Sequence, residues 1–116
     1  PTDGEFMTLE IELGMSESEA NDTGWRGTDQ GTQMKSSASD SPAWNGTNTS
    51  GFSGLAGGYR NNYGDFSSEG IYGCFWSASA LGGPFAWARK LSGGSTGVFR
   101  SSYHLRIGFS VRCVRD

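Results

Sequence analysis

The sequence predicts a single α+β domain in which an amphipathic helix near the start is followed by a small, mostly antiparallel sheet. Near the start, Phe6, Leu9 and Leu13 lie at i, i+3 and i+7, which is the spacing of one helical face. Between residues 71 and 116, side-chain type alternates along short runs separated by glycine turns, as half-buried strands require. A chain of 116 residues is long enough for one hydrophobic core, so we expect one domain over residues 1–116.

The helix is predicted over residues 3–13. Thr2 and Glu5 have the spacing of a capping box, in which two side chains satisfy free N–H groups at the helix start. Gly14 provides a stop. The acidic side chains expected to face water are Glu5, Glu10 and Glu12.

Two short helical segments and a long loop are predicted next. Ser16 and Glu19 repeat the capping-box spacing, and a second segment can run from Thr28 to Lys35. Residues 36–63 are rich in Ser, Asn, Thr and Gly, a composition that is typical of linkers. Interleaved large side chains predict instead an ordered loop pinned to the core, and these are Trp44, Phe52, Leu55 and Tyr59.

The last third of the chain predicts strands whose side chains divide into two sets. Runs begin near Trp87 and after the turn at Gly93-Gly94, and a final run starts near Phe109. Alternate residues of a strand point to opposite faces, so one set should form a buried frame. This frame set comprises Trp87, Arg89, Leu91, Val98, Arg100, Phe109 and Val111.

Charge and hydropathy exclude two classes of partner. The net charge is −3, and the basic residues after residue 80 are spaced singly, without the Lys/Arg cluster of a nucleic-acid groove. No apolar run approaches the roughly 18–20 residues that span a membrane. We therefore predict neither nucleic-acid binding nor a membrane span in this chain. Localisation stays open, with the cell surface or the outside of the cell favoured.

Neither a catalytic site nor a cofactor or metal site is predicted. His104 is the one histidine, and no nucleophile motif lies near it. The glycines at 57–58 lack the lysine and the strand-then-helix context of a phosphate-binding loop. Four loop aspartates could meet at a calcium ion, although solvated loop carboxylates are commoner, and these are Asp22, Asp29, Asp40 and Asp65.

Several strings of the sequence carry a family resemblance. The C-terminal half contains GCFWSAS, AWARKLS, GVFR and GFSVRCVRD, and the first half contains TGWRGTDQGTQMKS and GFSGLAGGYR. These strings resemble the signatures of the prokaryotic Fibrobacter-type major paralogous (FISUMP) domain. Two departures are Ala56, where the family usually has Pro, and Cys74-Phe75, where an aromatic pair is more usual.

The resemblance implies a C-type lectin-like fold of the formylglycine-generating-enzyme subclass. The family includes variable proteins that retroelements diversify, and in these the C-terminal strands and loops display the ligand-binding side chains. The loop motifs of calcium-dependent sugar binding are absent from the sequence, so lectin activity is not implied. We expect the domain to be the C-terminal part of a longer protein. Under this fold the strands carrying Cys74 and Cys113 would lie close. The two cysteines then either form one disulfide or stay as reduced, buried thiols.

The expected function is recognition or adhesion, with a protein or another macromolecule as the ligand and without enzymatic activity. The residues expected to be displayed are Ala78, Ala88, Lys90, Ser92, Phe99, Ser101, Tyr103, His104, Leu105, Arg106 and Ile107. The simpler interpretation is that the large apolar members of this set are core. Two further functions stay open, namely an oxidase of the formylglycine-generating type and a structural domain of a surface protein.

Overall fold

The computed structural model describes residues 1–115, and along them three helices and a short strand precede the main run of strands. The elements in chain order are α1 (Asp3–Glu12), α2 (Glu17–Ala20), β1 (Gly24–Arg26), α3 (Gln30–Met34), β2 (Tyr59–Arg60), β3 (Phe66–Ser67), β4 (Tyr72–Gly82), β5 (Phe85–Ser92) and β6 (Val98–His104). The predicted α+β class with a mostly antiparallel sheet is confirmed. None of the helices described is long and apolar enough to cross a membrane.

The main sheet has four antiparallel strands in the order β1-β6-β5-β4, and β2 pairs with β3 in a separate hairpin. Cross-strand partners share a face of a sheet, and successive residues of a strand alternate between faces. We call one side the helix face, and its residues are Arg26, Phe75, Trp87, Arg89, Leu91, Val98 and Arg100. We call the other side the aromatic face, and its residues are Trp25, Tyr72, Cys74, Trp76, Ala86, Ala88, Lys90, Ser92, Phe99, Ser101 and Tyr103.

Helix α1 begins as its sequence predicts. The Glu5 N–H donates to Thr2 Oγ1 at 3.1 Å, and the Thr2 N–H donates to Glu5 Oε2 at 2.7 Å, which completes the capping box. Phe6 packs into the core cluster beside α3 and the helix face, and the other members of this cluster are Met34, Phe75, Leu91 and Val98. The prediction that Glu10 faces water is wrong, because its side chain is fully buried against the sheet.

The long loop is ordered by its aromatic residues, as predicted. Trp44 and Phe52 are partly buried and pack against the core cluster. The Phe52 ring meets the Phe75 ring edge to face, with 5.3 Å between centroids. Leu55, in contrast, is exposed. The loop therefore covers the core with two of its four large side chains and carries Tyr59 towards the opposite side of the sheet.

The predicted final strand does not form within the described residues. After β6, the chain returns along the outer edge of β4, where the Ser110 N–H donates to the Cys74 carbonyl at 2.9 Å and the Trp76 N–H donates to the Ser110 carbonyl at 3.0 Å. This contact is an isolated bridge between Phe75 and Ser110. Val111 lies beyond it and is 69% exposed, so its assignment to the buried frame is wrong. The alternation of side-chain types therefore continues in the sequence beyond the last residue that pairs with a strand.

Candidate functional site

Five charged side chains meet between α1 and the helix face. Asp3 and Glu10 lie two turns apart on one side of α1, while Arg89 and Arg100 are direct cross-strand partners in β5 and β6. Four short ion pairs join them with Arg26. These are Arg26 Nη2 to Glu10 Oε1 (2.8 Å), Arg89 Nε to Glu10 Oε2 (3.0 Å), Arg89 Nη1 to Asp3 Oδ1 (2.6 Å) and Arg100 Nη2 to Asp3 Oδ2 (2.7 Å).

Further donors of this network go to backbone carbonyls. Arg26 Nη1 donates to the Val98 carbonyl at 3.0 Å, and Arg100 Nη1 donates to the Asn21 carbonyl at 2.9 Å. Within residues 1–115, Arg26 Nε is the one buried side-chain polar atom without a hydrogen-bond partner. Since the network is closed on itself, it fixes helix against sheet and offers little to a ligand.

Asp3 shows how strongly the arginines compensate for burial. Burial alone would raise the pKa of Asp3, but hydrogen bonds from Arg100 and Arg89 and their positive charges outweigh it, so that this pKa lies below its ordinary value. Asp3 therefore stays ionised at neutral pH. The uneven charge of the sequence, with an acidic start and a basic end, is thus partly explained by ion pairs inside the domain.

The aromatic face is partly covered by the chain that follows β6. The Phe109 ring packs against Trp76 at 4.6 Å, Tyr103 at 5.0 Å and Tyr59 at 6.3 Å between ring centroids. Coverage is incomplete and leaves an open pocket of about 220 Å³. Its lining residues are Tyr59, Tyr72, Cys74, Lys90, Tyr103, Ile107 and Phe109. We call this space the tyrosine pocket.

A backbone turn brings Tyr59 to the pocket. Gly58 has a positive φ of 68°, and a Cβ atom at this position would overlap the backbone of Ser67 and Glu69. Its N–H donates to the Tyr72 carbonyl at 2.7 Å, which fixes the loop against β4. Glycine is therefore required where the loop crosses between β3 and β4 to place Tyr59.

Lys90 is the charged residue of the pocket lining. Its Nζ lies 4.5 Å from the ring centroid of Phe99, 4.7 Å from that of Tyr72 and 5.7 Å from that of Trp25. Within residues 1–115 it has no ion-pair partner and no hydrogen-bond acceptor. The rings stabilise the ammonium through their faces and leave its N–H groups without an acceptor.

Two further polar groups of the pocket are held uncharged. Burial raises the pKa of Tyr103 to about 12, and the nearby ionisable groups of Cys74, Tyr59 and Tyr72 act in the same direction. Burial also raises the pKa of Cys74 to about 11, against the opposing charge of Lys90. At neutral pH Tyr103 therefore keeps its phenol proton and Cys74 its thiol proton. A protonated thiol is a poor nucleophile, so this chemistry suits binding.

The two cysteines are not bonded to each other. Cys74 is buried in β4 and Cys113 is exposed in the C-terminal segment, and both are free thiols. Of the two alternatives left open by the sequence, the structure has the reduced form. The strand that would have carried Cys113 alongside β4 is absent from the described residues, which leaves its side chain in solvent.

The structure brings together part of the set predicted to be displayed. Lys90, Tyr103 and Ile107 line the tyrosine pocket, Phe99 lies against Lys90, and Ser101 is half-buried on the same face. Ala78, Leu105 and Arg106 are exposed outside the pocket lining. Strand alternation therefore predicted correctly that Lys90, Phe99, Ser101 and Tyr103 lie on one side of the sheet.

The other three members of that set are not displayed on this face. Ala88 is fully buried at the centre of the sheet, and Ser92 is buried at the end of β5, where its Oγ accepts from the Gly94 N–H at 3.1 Å. Their predicted display is wrong, because this face is covered in its middle and at that end. His104 pairs with Phe85 across the strands, on the side opposite Tyr103, with 5.7 Å between ring centroids.

Sequence reasoning missed four of the seven lining residues. Tyr72 and Cys74 lie two apart in β4, so extending the alternation into that strand could have found them. Phe109 was assigned to the buried frame, but it is half-buried and packs against rings on the aromatic face, where it lines the pocket. Tyr59 comes from a loop, whose path leaves no periodic signal.

No cluster of three or more His, Cys, Asp or Glu side chains in residues 1–115 is arranged to hold a metal ion. Among the aspartates considered for calcium, Asp40 already accepts from the Ser37 N–H at 2.7 Å and from Asn48 Nδ2 at 3.1 Å. These bonds, led by the Ser37 backbone, lower the pKa of Asp40. This carboxylate organises its own loop.

Comparison with known proteins identifies the family. The family model described as the Fibrobacter succinogenes major domain matches residues 1–115. No curated protein and no solved structure matches the chain. Because the family model covers nearly the whole sequence, the protein belongs to the Fibrobacter succinogenes major domain family.

Proposed function

We propose that this domain is a recognition module whose aromatic face binds a macromolecular partner. The observation that carries the proposal is the tyrosine pocket, which combines ring surface with an ammonium that has no partner within residues 1–115. Ligand sites typically join an apolar lining to a few convergent polar groups, and this pocket has that composition.

The exposed side chains around the pocket favour a partner that is larger than the pocket itself. Trp25 is 45% exposed and Leu105 is 58% exposed, and both lie near elements that contribute to the pocket. Trp, Tyr and Arg are the residue types most enriched at the energetic centres of interfaces. The buried ion network below the sheet supports a rigid frame, which limits the conformational entropy lost on binding.

The fold subclass and the origin of the binding surface belong to the same proposal. We infer a C-type lectin-like fold of the formylglycine-generating subclass and a surface diversified by a retroelement, both from the resemblance of the sequence motifs. A gene-level test is direct. We expect a neighbouring reverse transcriptase gene and a near-repeat of the DNA encoding residues 78–107, differing mainly at adenines. Absence of both would leave a recognition domain with a fixed surface.

Recognition is favoured over an oxidase of the formylglycine-generating type by the state of the cysteines. Such an enzyme uses a cysteine pair, whereas here Cys74 is buried with a raised pKa of about 11 and Cys113 is exposed on another segment. A purely structural role would not account for the ring-lined pocket.

Selection from a random peptide library displayed on phage tests the proposal. Peptides enriched on the immobilised domain should lose binding to a Tyr103→Ala variant and keep binding to Glu12→Ala, an exposed change on α1, away from the aromatic face. Circular dichroism should verify that both variants fold. Enriched peptides that bind both variants equally, or no enrichment at all, would overturn the proposed site.

A further inference from the structure

We propose that the tyrosine pocket selects a carboxylate attached to an apolar group, with Lys90 as the residue that binds the carboxylate. This inference rests on the proposed function, because it names the chemistry recognised by the same face. It goes further in committing to a charge, a size and a residue.

The charge follows from Lys90. It is the one charged residue among the seven that line the pocket, and within residues 1–115 no carboxylate neutralises it. Rings of Tyr72, Phe99 and Trp25 surround part of its ammonium, with 4.5–5.7 Å from Nζ to their centroids. In such surroundings an anion interacts with the ammonium more strongly than it would in bulk water. A cationic ligand is disfavoured for the same reason.

The hydrogen-bonding groups also favour an acceptor-rich ligand. Lys90 has N–H donors without an acceptor, and the hydroxyls of Tyr59, Tyr72 and Tyr103 make no hydrogen bond within residues 1–115. Because Tyr103 stays protonated until high pH, its hydroxyl can donate. A carboxylate accepts several hydrogen bonds through two oxygens, so it can satisfy the ammonium together with one or more phenols.

The size and lining define the rest of the ligand. The pocket holds about 220 Å³, whereas a cavity of about 150 Å³ is sufficient for benzene. One ring or a branched aliphatic group therefore fits, with space left for a carboxylate. Ile107 and Phe109 supply apolar contact surface beside Lys90. The ligand group could belong to a free aromatic acid or to the C-terminal residue of a peptide, since both present the same chemistry.

The test compares acids with their uncharged amides. Benzoate and benzamide represent the free source, and N-acetylphenylalanine and its amide represent a peptide C-terminus. Each is titrated into the ¹⁵N-labelled domain while amide chemical shifts are followed by NMR. We expect at least one acid to shift signals of Tyr59, Tyr72, Tyr103 and Ile107 and to bind about ten to a hundred times more tightly than its amide. The stronger acid identifies the source.

A pair of lysine and arginine variants isolates the charge. Lys90→Met should reduce acid binding to the level of the amide, while Arg112→Met, which removes an exposed cation of the C-terminal segment outside the pocket lining, should leave it unchanged. Thermal melts of both variants establish that they are folded. Equal binding of acids and amides, or equal loss in both variants, would overturn the inference. The proposed recognition function would survive that result if phage-selected peptides still depended on Tyr103.

Discussion

On the helix face of the sheet, five charged side chains are buried and pair with one another, whereas on the aromatic face Lys90 lies among rings with no ion-pair partner in residues 1–115. Both faces belong to the same strands and differ only in the alternation of side chains. A buried network of paired charges contributes to rigidity, because breaking it leaves a buried charge. An unsaturated group beside a cavity is available to a ligand. The difference separates the frame of the domain from its proposed binding surface.

Removing a carboxylate from the helix face should have the largest effect. Glu10 accepts from Arg26 and Arg89, and its side chain is 0% exposed. Glu10→Ala would leave both guanidinium groups partly uncompensated and should lower the free energy of unfolding by about 3–5 kcal/mol. Glu12→Ala, an exposed change on the same helix, should stay within about 0.5 kcal/mol. Urea unfolding measures both, and equal effects would show that the network is not a source of stability.

Neighbouring aromatic residues of β4 offer a second contrast, since they point to opposite faces. Phe75 is 3% exposed in the core cluster, while Trp76 is half-buried against Phe109. Phe75→Ala should lower the free energy of unfolding by about 3–5 kcal/mol. Trp76→Ala should cost roughly half as much, because hydrophobic stabilisation scales with the area buried. A larger loss for Trp76 in the same urea experiment would mean that the aromatic face is as much core as the helix face.

The acid limb of stability should depend on Asp3. Its folded-state pKa lies below the ordinary value of 3.8, so its stabilising effect is complete at neutral pH and is lost as the pH falls from about that value through the lower folded pKa. Asp3→Asn should cost about 2–3 kcal/mol at pH 7. It should also flatten the decline of stability below pH 4, measured by urea midpoints across pH. If the stability of the variant falls below pH 4 as steeply as that of the unmodified domain, other carboxylates are responsible for the fall.

How much of this frame was predictable depends on the range of the interactions. Helix α1 was predicted because the capping box of Thr2 and Glu5 and its apolar spacing are local. The burial of Glu10 was not predicted, because its partners Arg26 and Arg89 lie 16 and 79 residues away in sequence. From sequence alone, a carboxylate on a helix is expected to face solvent, because its distant ion-pair partners cannot be identified.

The candidate site was predictable to a similar extent. Alternation along β5 and β6 identified Lys90 and Tyr103, since a two-residue period survives in sequence. It also wrongly implied exposure for Ala88, which is fully buried. Tyr59 reaches the pocket through a loop whose path depends on a positive-φ glycine and tertiary hydrogen bonds. Side-chain pattern predicts the face of a strand and cannot predict what covers it.

The smallest expected effects come from Lys35 and Lys90. The ammonium of Lys35 has hydrogen-bond acceptors, whereas that of Lys90 has none within residues 1–115. Lys35 is buried, and its Nζ donates to the carbonyls of Ser92 at 2.8 Å and Ser95 at 3.0 Å. Within residues 1–115, the Lys90 ammonium interacts with aromatic rings and has no hydrogen-bond acceptor. Lys35→Met should lower the free energy of unfolding by about 2 kcal/mol, because two carbonyls lose a charged donor.

Lys90→Met should change stability by no more than about 1 kcal/mol, the size of a cation–π contribution, because methionine retains much of the apolar stem. Urea unfolding of the two variants at pH 7 measures the contrast. If Lys90→Met proves the more destabilising, the ammonium is a structural part of the aromatic face, and a ligand carboxylate would have to compete with contacts that the fold needs. If Lys35→Met alone is destabilising, the charge of Lys90 is dispensable for folding and is free to serve recognition.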